Sequence, residues 1–331
     1  MYEVISLVGG LVLLLLAGDV MVRGAVSLAM RMGIPPLVIG LTIIAFGTSA
    51  PELVISLRAA LSGSGAIAIG NVVGSNVANV LLVLGIPAVF AVTECYERGA
   101  IRSASFMIAI TFVFIAFCYF PPLGRPAGIA LLALLALFLS EQVRASLEAR
   151  RANGKNTAVV DDDENSNIDV IDGVEGIPGS LLLSCLFIFV GLAGLPLGAH
   201  LVISGASAAA MSWGVSEATI GLTVIAIGTS LPELAATMMA ALRGHCGVAV
   251  GNVIGSNIFN LLAIMGTTAL VAPVPVPDQI MSFEIWAMLA ASILLLILVV
   301  RRMSIGRTIG FLMTATYLGY LWVVFQYGHA G

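Results

Sequence analysis

Charge is scarce in this chain: 10% of its 331 residues are Asp, Glu, Lys or Arg, against 60% that are hydrophobic. A soluble domain of this length cannot bury so much apolar side chain, so the bilayer must be its solvent. Histidine and cysteine are also scarce, at three and four residues. Cys95, Cys118, Cys185 and Cys246 lie far apart, with no C-x-x-C pair and no histidine at ligand spacing, which argues against a zinc site and a disulfide framework. The alternation of a membrane barrel is missing too, since runs such as Leu131 to Leu139 are continuously apolar. The N-terminal segment lacks a basic n-region and an A-x-A-like site, and its apolar run leads into Asp19 and Arg23, so it reads as a retained span. No pairing of nucleophile with base stands out, which makes an enzyme the weakest of the function classes.

What is present is long apolar runs. A helix needs about 20 apolar residues to cross the hydrocarbon, and about ten stretches qualify. They cover 5–22, 35–61, 66–91, 103–121, 126–145, 179–203, 215–242, 247–272, 282–300 and 307–327. The expected fold is all-α: a polytopic membrane protein whose helices form two inverted five-helix repeats, residues 1–149 and 179–331, joined by an acidic linker over 150–178. Placing the N-terminus outside the cell membrane puts Arg23, Arg31, Arg98, Arg102, Arg144, Arg150, Arg151, Lys155, Arg243, Arg301, Arg302 and Arg307 on the cytoplasmic side. Arg58 and Arg125 are left outside. The linker is then cytoplasmic, and five spans per half make the second half enter from the opposite face.

The two halves repeat without a gap. Residues 40–85 read GLTIIAFGTSAPELVISLRAALSGSGAIAIGNVVGSNVANVLLVLG, and 221–266 read GLTVIAIGTSLPELAATMMAALRGHCGVAVGNVIGSNIFNLLAIMG. Roughly 25 of the 46 positions are identical at a constant offset of 181. Generic membrane-helix composition does not repeat G-T-S-x-P-E-L and G-N-V-x-G-S-N-x-x-N together. Inverted repeats with Gly- and Pro-interrupted helices in matching places point to a secondary transporter with its site at the midplane.

The chemistry of the motifs agrees. Pro51 and Pro232 have no amide hydrogen, so each frees the carbonyl four residues earlier, at Gly47 and Gly228. Thr48, Ser49, Thr229 and Ser230 add hydroxyl oxygens at the same breaks, and Glu52 and Glu233 follow within a turn. An ionised carboxylate at the bilayer centre costs at least about 2.5–3.5 kcal/mol, so two of them need a function. Together they carry the charge of one divalent cation. The next span of each copy adds Ser75 with Asn79 and Ser256 with Asn260, each pair four residues apart on one helix face. Asn71, Asn76, Asn252 and Asn257 are alternatives, and helix-to-helix packing competes as their role. Oxygen ligands with no His or Cys among them fit Ca2+ and Na+ rather than zinc or copper.

These motifs resemble the two α-repeats of the sodium/calcium-exchanger family. The resemblance covers about 92 residues directly. It implies that Glu52 and Glu233 coordinate calcium, that Thr48, Ser49, Thr229, Ser230, Ser75 and Ser256 help form sodium and calcium sites, and that backbone oxygens near Ala45 and Ala226 contribute. The implied activity is Na+/Ca2+ antiport in the inner membrane, with both ions as transported substrates, no cofactor and no nucleic acid. The proton/calcium branch shows G-N-x-x-E instead, and potassium-dependent members use an Asp at the position of Asn79 or Asn260; both are Asn here, which favours potassium-independent transport. A divalent antiporter of another kind is the nearest rival, followed by a passive channel.

Three features fall outside this set. Asp19 and Arg23, four apart, read as a helix-end salt bridge. His200, opposite Asp19 in the repeat, reads as structural. Asp161, Asp162, Asp163, Glu164, Asp169 and Asp172 are spaced somewhat like an EF-hand loop, but Ser166 stands where the glycine should be and Asp172 where the bidentate Glu should be, so a solvated linker is expected.

Overall fold

In lipid no water is at hand for backbone N–H and C=O groups, so long apolar runs close their own hydrogen bonds as helices. The computed structural model describes residues 2–94, 97, 99–156, 178–212 and 226–329. Their helices are α1 (Tyr2–Met32), α2 (Pro36–Thr48), α3 (Ala50–Leu61), α4 (Gly65–Phe90), α5 (Ala100–Cys118), α6 (Arg125–Asn156) and α7 (Leu181–Ser212). They continue with α8 (Ala226–Thr229), α9 (Leu231–Leu242), α10 (Cys246–Val271), α11 (Ile280–Val300) and α12 (Arg307–His329). A two-stranded ribbon pairs Thr93 with Ile305 and Glu94 with Ser304.

Among the described residues eight helices are long and apolar enough to span a membrane, and α2 with α3, bent by 44° at Ser49, make a ninth. The chain is a multi-pass membrane protein. A tenth span was expected over 215–242; α8 and α9 are its described part, and residues 213–225 lie outside the described residues, as does the acidic stretch 161–172. Three helices outrun their expected ends by two turns or more: α1 reaches Met32 rather than 22, α6 Asn156 rather than 145, and α7 Ser212 rather than 203. Hydropathy marks where a helix meets hydrocarbon, whereas backbone hydrogen bonding decides where it stops.

Burial sorts the helices into two shells. The apolar window of α10 is 100% buried and that of α4 is 83% buried, whereas α6 is 17% and α12 22% buried. The inner pair is rich in Gly, Ser and Asn, residues that let membrane helices approach closely and hydrogen-bond. A Cβ at Gly251 would lie 2.5 Å from the Leu37 carbonyl, and one at Gly255 2.6 Å from that of Leu41, so α10 lies directly against α2. In the outer shell α1 and α7 meet along their lengths through Gly10, Gly24, Gly191, Gly198 and Gly205.

The Asp19–Arg23 pair forms, at 3.3 Å, but not at a helix end. It sits within the body of α1 because that helix is longer than expected, and Arg243, just past α9, joins the same carboxylate. His200 is exposed on α7. Cys118, Cys185 and Cys246 are free thiols, and Cys95 lies outside the described residues.

Candidate cation site

Proline sets the geometry of the site. Pro51 and Pro232 stand in the first turns of α3 and α9, where a missing amide costs nothing, and the chain breaks just before them. Ser49 (φ −84°, ψ 3°) and Ser230 (φ −87°, ψ 4°) hold nearly the same bridging conformation. Glu52 and Glu233 thereby lie in the first turn of a helix, where the backbone dipole favours negative charge. Each is 1% exposed, and among the described residues neither is in an ion pair.

The neighbouring helices hold these carboxylates in a two-fold pattern. The Asn71 amide donates to Ser56 Oγ at 3.0 Å, and the Asn252 amide to Thr237 Oγ1 at 2.9 Å. Both also approach the carbonyl of the glutamate itself, at 3.5 Å for Glu52 and 3.4 Å for Glu233. Between the repeats, Ser49 Oγ donates to Glu233 Oε1 at 2.9 Å, and Thr48 Oγ1 to Asn252 Oδ1 at 3.3 Å. Across α4 and α10, Asn79 Nδ2 donates to Asn257 Oδ1 at 3.1 Å and Asn260 Nδ2 to Asn76 Oδ1 at 2.9 Å. Asn76 and Asn257 send their own amides toward the sulfurs of Met288 and Met107, at 3.6 and 3.7 Å.

This division of labour separates the six asparagines by role. Asn71 and Asn252 tie helices together, and Asn76 and Asn257 orient their neighbours. Asn79 and Asn260 donate their amide hydrogens away and keep an oxygen. Six buried oxygens in the site have no hydrogen-bond partner among the described residues: Glu52 Oε2, Glu233 Oε2, Asn79 Oδ1, Asn260 Oδ1, Ser230 Oγ and Ser256 Oγ. A buried oxygen without a donor normally costs about 1–3 kcal/mol, so six together, with Glu52 and Asn79 matched by Glu233 and Asn260, form a set suited to a hard cation. Two carboxylates among them supply the counter-charge of one divalent ion.

The other expected residues also have places. Thr48, Ser49, Ser75 and Thr229 are buried beside the same breaks and helices. The Ala45 carbonyl accepts the Ser49 amide at 3.1 Å and Thr48 Oγ1 at 3.4 Å. In the second copy the Ser230 amide donates to the Ile227 carbonyl at 3.1 Å. Sequence reasoning missed Ser56, Thr237, Met107 and Met288. The signal was available, because each pair is again separated by 181 residues.

A sequence profile for the family described as sodium/calcium exchanger protein matches residues 2–143 and 183–326. The chain belongs to the sodium/calcium exchanger family. It is 34% identical over 324 residues to the inner membrane protein YrbG of Escherichia coli, covering 97% of this chain and 95% of that one. It is 32% identical over 339 residues to the sodium/calcium exchanger MaX1 of Methanosarcina acetivorans, covering 96% of each. Among solved structures, the sodium-calcium exchanger NCX_Mj soaked with 10 mM Na+ and 10 mM Sr2+ superposes with a TM-score of 0.78 at 27% identity, covering 96% of both chains.

Proposed function

We propose that this member of the family is a secondary active antiporter that exchanges Na+ for Ca2+ by alternating access. Its site is the oxygen cluster of Glu52, Glu233, Thr48, Ser49, Thr229, Ser230, Ser75, Ser256, Asn79 and Asn260, with backbone oxygens at Ala45 and Ala226. The observation that carries this reading is the cluster of six unpartnered buried oxygens drawn from both copies of the repeat, in which Glu52 and Asn79 match Glu233 and Asn260. A channel would more often build its site on an axis between subunits. Resemblance to the relative named a sodium/calcium exchanger supports the choice of ions.

The test is calcium flux in proteoliposomes under independently imposed sodium, potassium and proton gradients. A sodium gradient alone is expected to drive calcium uphill, at the same rate when potassium is replaced by choline. Asn79 and Asn260 are neutral, so they add oxygen without a third negative charge for potassium to balance. Asn260→Asp is expected to create potassium sensitivity. Loss of the unmodified protein's flux when potassium is removed would refute the potassium-independent reading, and calcium leak without any trans ion would replace the antiporter by a channel.

The proposed orientation, N-terminus outside and linker cytoplasmic, rests on the twelve-to-two division of basic residues. A cysteine introduced at Asn156 is expected to react with impermeant maleimide only from the cytoplasmic face, and one at Asp278 only from outside. The reverse pattern would overturn the orientation.

A further inference from the structure

Glu284 is a further carboxylate within the membrane-spanning helices that the central cluster does not use, and unlike Asp19 and Glu141 it has no basic partner among the described residues. It lies on α11, at the end of a π turn over Ile280–Glu284, and is 7% exposed. Gln279 Nε2 donates to Glu284 Oε1 at 3.1 Å, and among the described residues no Lys, Arg or His pairs with it. The side chain lines a cavity of about 330 Å³ that it shares with Asn71, Ser75, Tyr317 and Tyr320. This volume holds several waters at about 30 Å³ each, enough for a partly hydrated cation. Asn71 is the residue that ties α4 to α3 beside Glu52, so the cavity reaches the wall of the central site.

The repeat shows that this carboxylate is not a by-product of the shared design. Met107 and Met288 keep the 181-residue offset in contact with matching asparagines, which places Ser103 opposite Glu284. Ser103 lines a smaller cavity, of about 270 Å³, in which the acid Glu141 is neutralised by Arg102. The π turn is likewise on one side, since α5 begins as an ordinary α-helix at Ala100. Gly70 and Gly74 also line the Glu284 cavity. A membrane-buried carboxylate with one amide donor and no basic partner, in a cavity with other polar groups, needs a cation to be stable as an ion.

We propose that the cavity holding Glu284 beside Asn71 and Ser75 is a second cation subsite, for one monovalent cation such as Na+, on one route to the central cluster. One carboxylate among neutral oxygens matches a single positive charge, whereas a divalent ion is matched by the two glutamates at the centre. The subsite rests on the exchange reading and gives it a feature present in one half of the molecule alone.

The experiment compares the unmodified protein, Glu284→Gln and Glu284→Asp in proteoliposomes. Sodium-driven calcium efflux is followed as a function of sodium, and calcium-for-calcium exchange is followed as a function of calcium without sodium. In E284Q the half-saturating sodium concentration is expected to rise about fivefold or more, the effect of losing one charge–ion contact. Its calcium-for-calcium exchange is expected to stay within about twofold in both rate and half-saturating calcium, which also shows that the variant folds. E284D, which keeps the charge, is expected to restore most of the sodium affinity. An unaltered sodium dependence in E284Q would overturn the subsite and leave the exchange reading standing. Equal losses for both ions, or an E284D no better than E284Q, would mean a structural or general electrostatic role and would also overturn it. Absence of sodium-driven flux in the unmodified protein would overturn the exchange reading and the subsite with it.

Discussion

Glu52→Gln and Glu233→Gln are each expected to lower sodium-for-calcium and calcium-for-calcium exchange by two to three orders of magnitude while leaving the protein folded. Glutamine keeps the shape and one acceptor oxygen, so the hydrogen bond from Ser49 to residue 233 can persist. What it removes is a charge, in a site where both carboxylates are 1% exposed and no basic side chain among the described residues pairs with them. Taking one partner from a buried ionic contact costs about 3–5 kcal/mol, which is about two to three decades in affinity. The same electrostatics gives exchange its coupling. Two ionised, unpaired carboxylates closed off from water meet a penalty of several kcal/mol each, so the empty carrier crosses slowly. One Ca2+ or several Na+ relieve that penalty, and each loaded form can then rearrange. Protonation removes charge as glutamine does, so exchange is expected to fall in acid. The measurement is radiolabelled calcium exchange in vesicles for each variant, with purified yield and elution profile as the folding control. Near-normal rates in both modes would show that neither glutamate is at the transport site.

The legible part of this molecule was the part that repeats. The constant offset of 181 residues picked out both glutamates, the hydroxyls at the breaks, and Asn79 with Asn260, because a polar residue duplicated inside an apolar run stands out against its surroundings. What each asparagine does with its donors and its acceptor was beyond it. An amide both donates and accepts, so the pattern N-V-x-G-S-N-x-x-N carries no information about which oxygen is left over. That is decided by crossing geometry: Asn76 and Asn257 accept from Asn260 and Asn79 because α4 and α10 meet face to face. Methionine offers even less signal in an apolar sequence, so nothing singled out Met107 and Met288, although their sulfurs flank the two orienting asparagines. Glu284 escaped for the opposite reason, since it does not repeat. Arg243 was read as a loop charge, and its contact with Asp19 joins two residues far apart in sequence that no local pattern connects.

Adjacent glycines near the start of α1 are expected to respond in opposite directions to the same substitution. Gly10 faces α7: a Cβ there would lie 2.7 Å from the Val202 backbone nitrogen and 2.9 Å from the Gly198 carbonyl. Gly9, one residue earlier, would place its Cβ with nothing within 4 Å. At Gly10 the obstacles include backbone, which cannot turn aside as a flexible side chain can, so leucine must push the two helices apart. The consequence reaches the site, because α1 also lies against α9, where a Cβ at Gly18 would be 3.0 Å from the Ala235 carbonyl, two residues past Glu233. Overpacking of this kind costs about 3 kcal/mol, which lowers a melting midpoint by roughly 4–5 °C in a chain of this size. At Gly9 leucine replaces the poorer helix former by one better by about 1 kcal/mol and adds a side chain where Val8 and Leu11 are already exposed, so the midpoint is expected to hold or rise slightly. Thermal melting of the purified protein in detergent, read by monodisperse fraction after heating, separates the two variants. Equal behaviour of Gly9→Leu and Gly10→Leu would mean that α1 and α7 do not meet through their glycine faces, and the placement of α9 and Glu233 against α1 would lose its support.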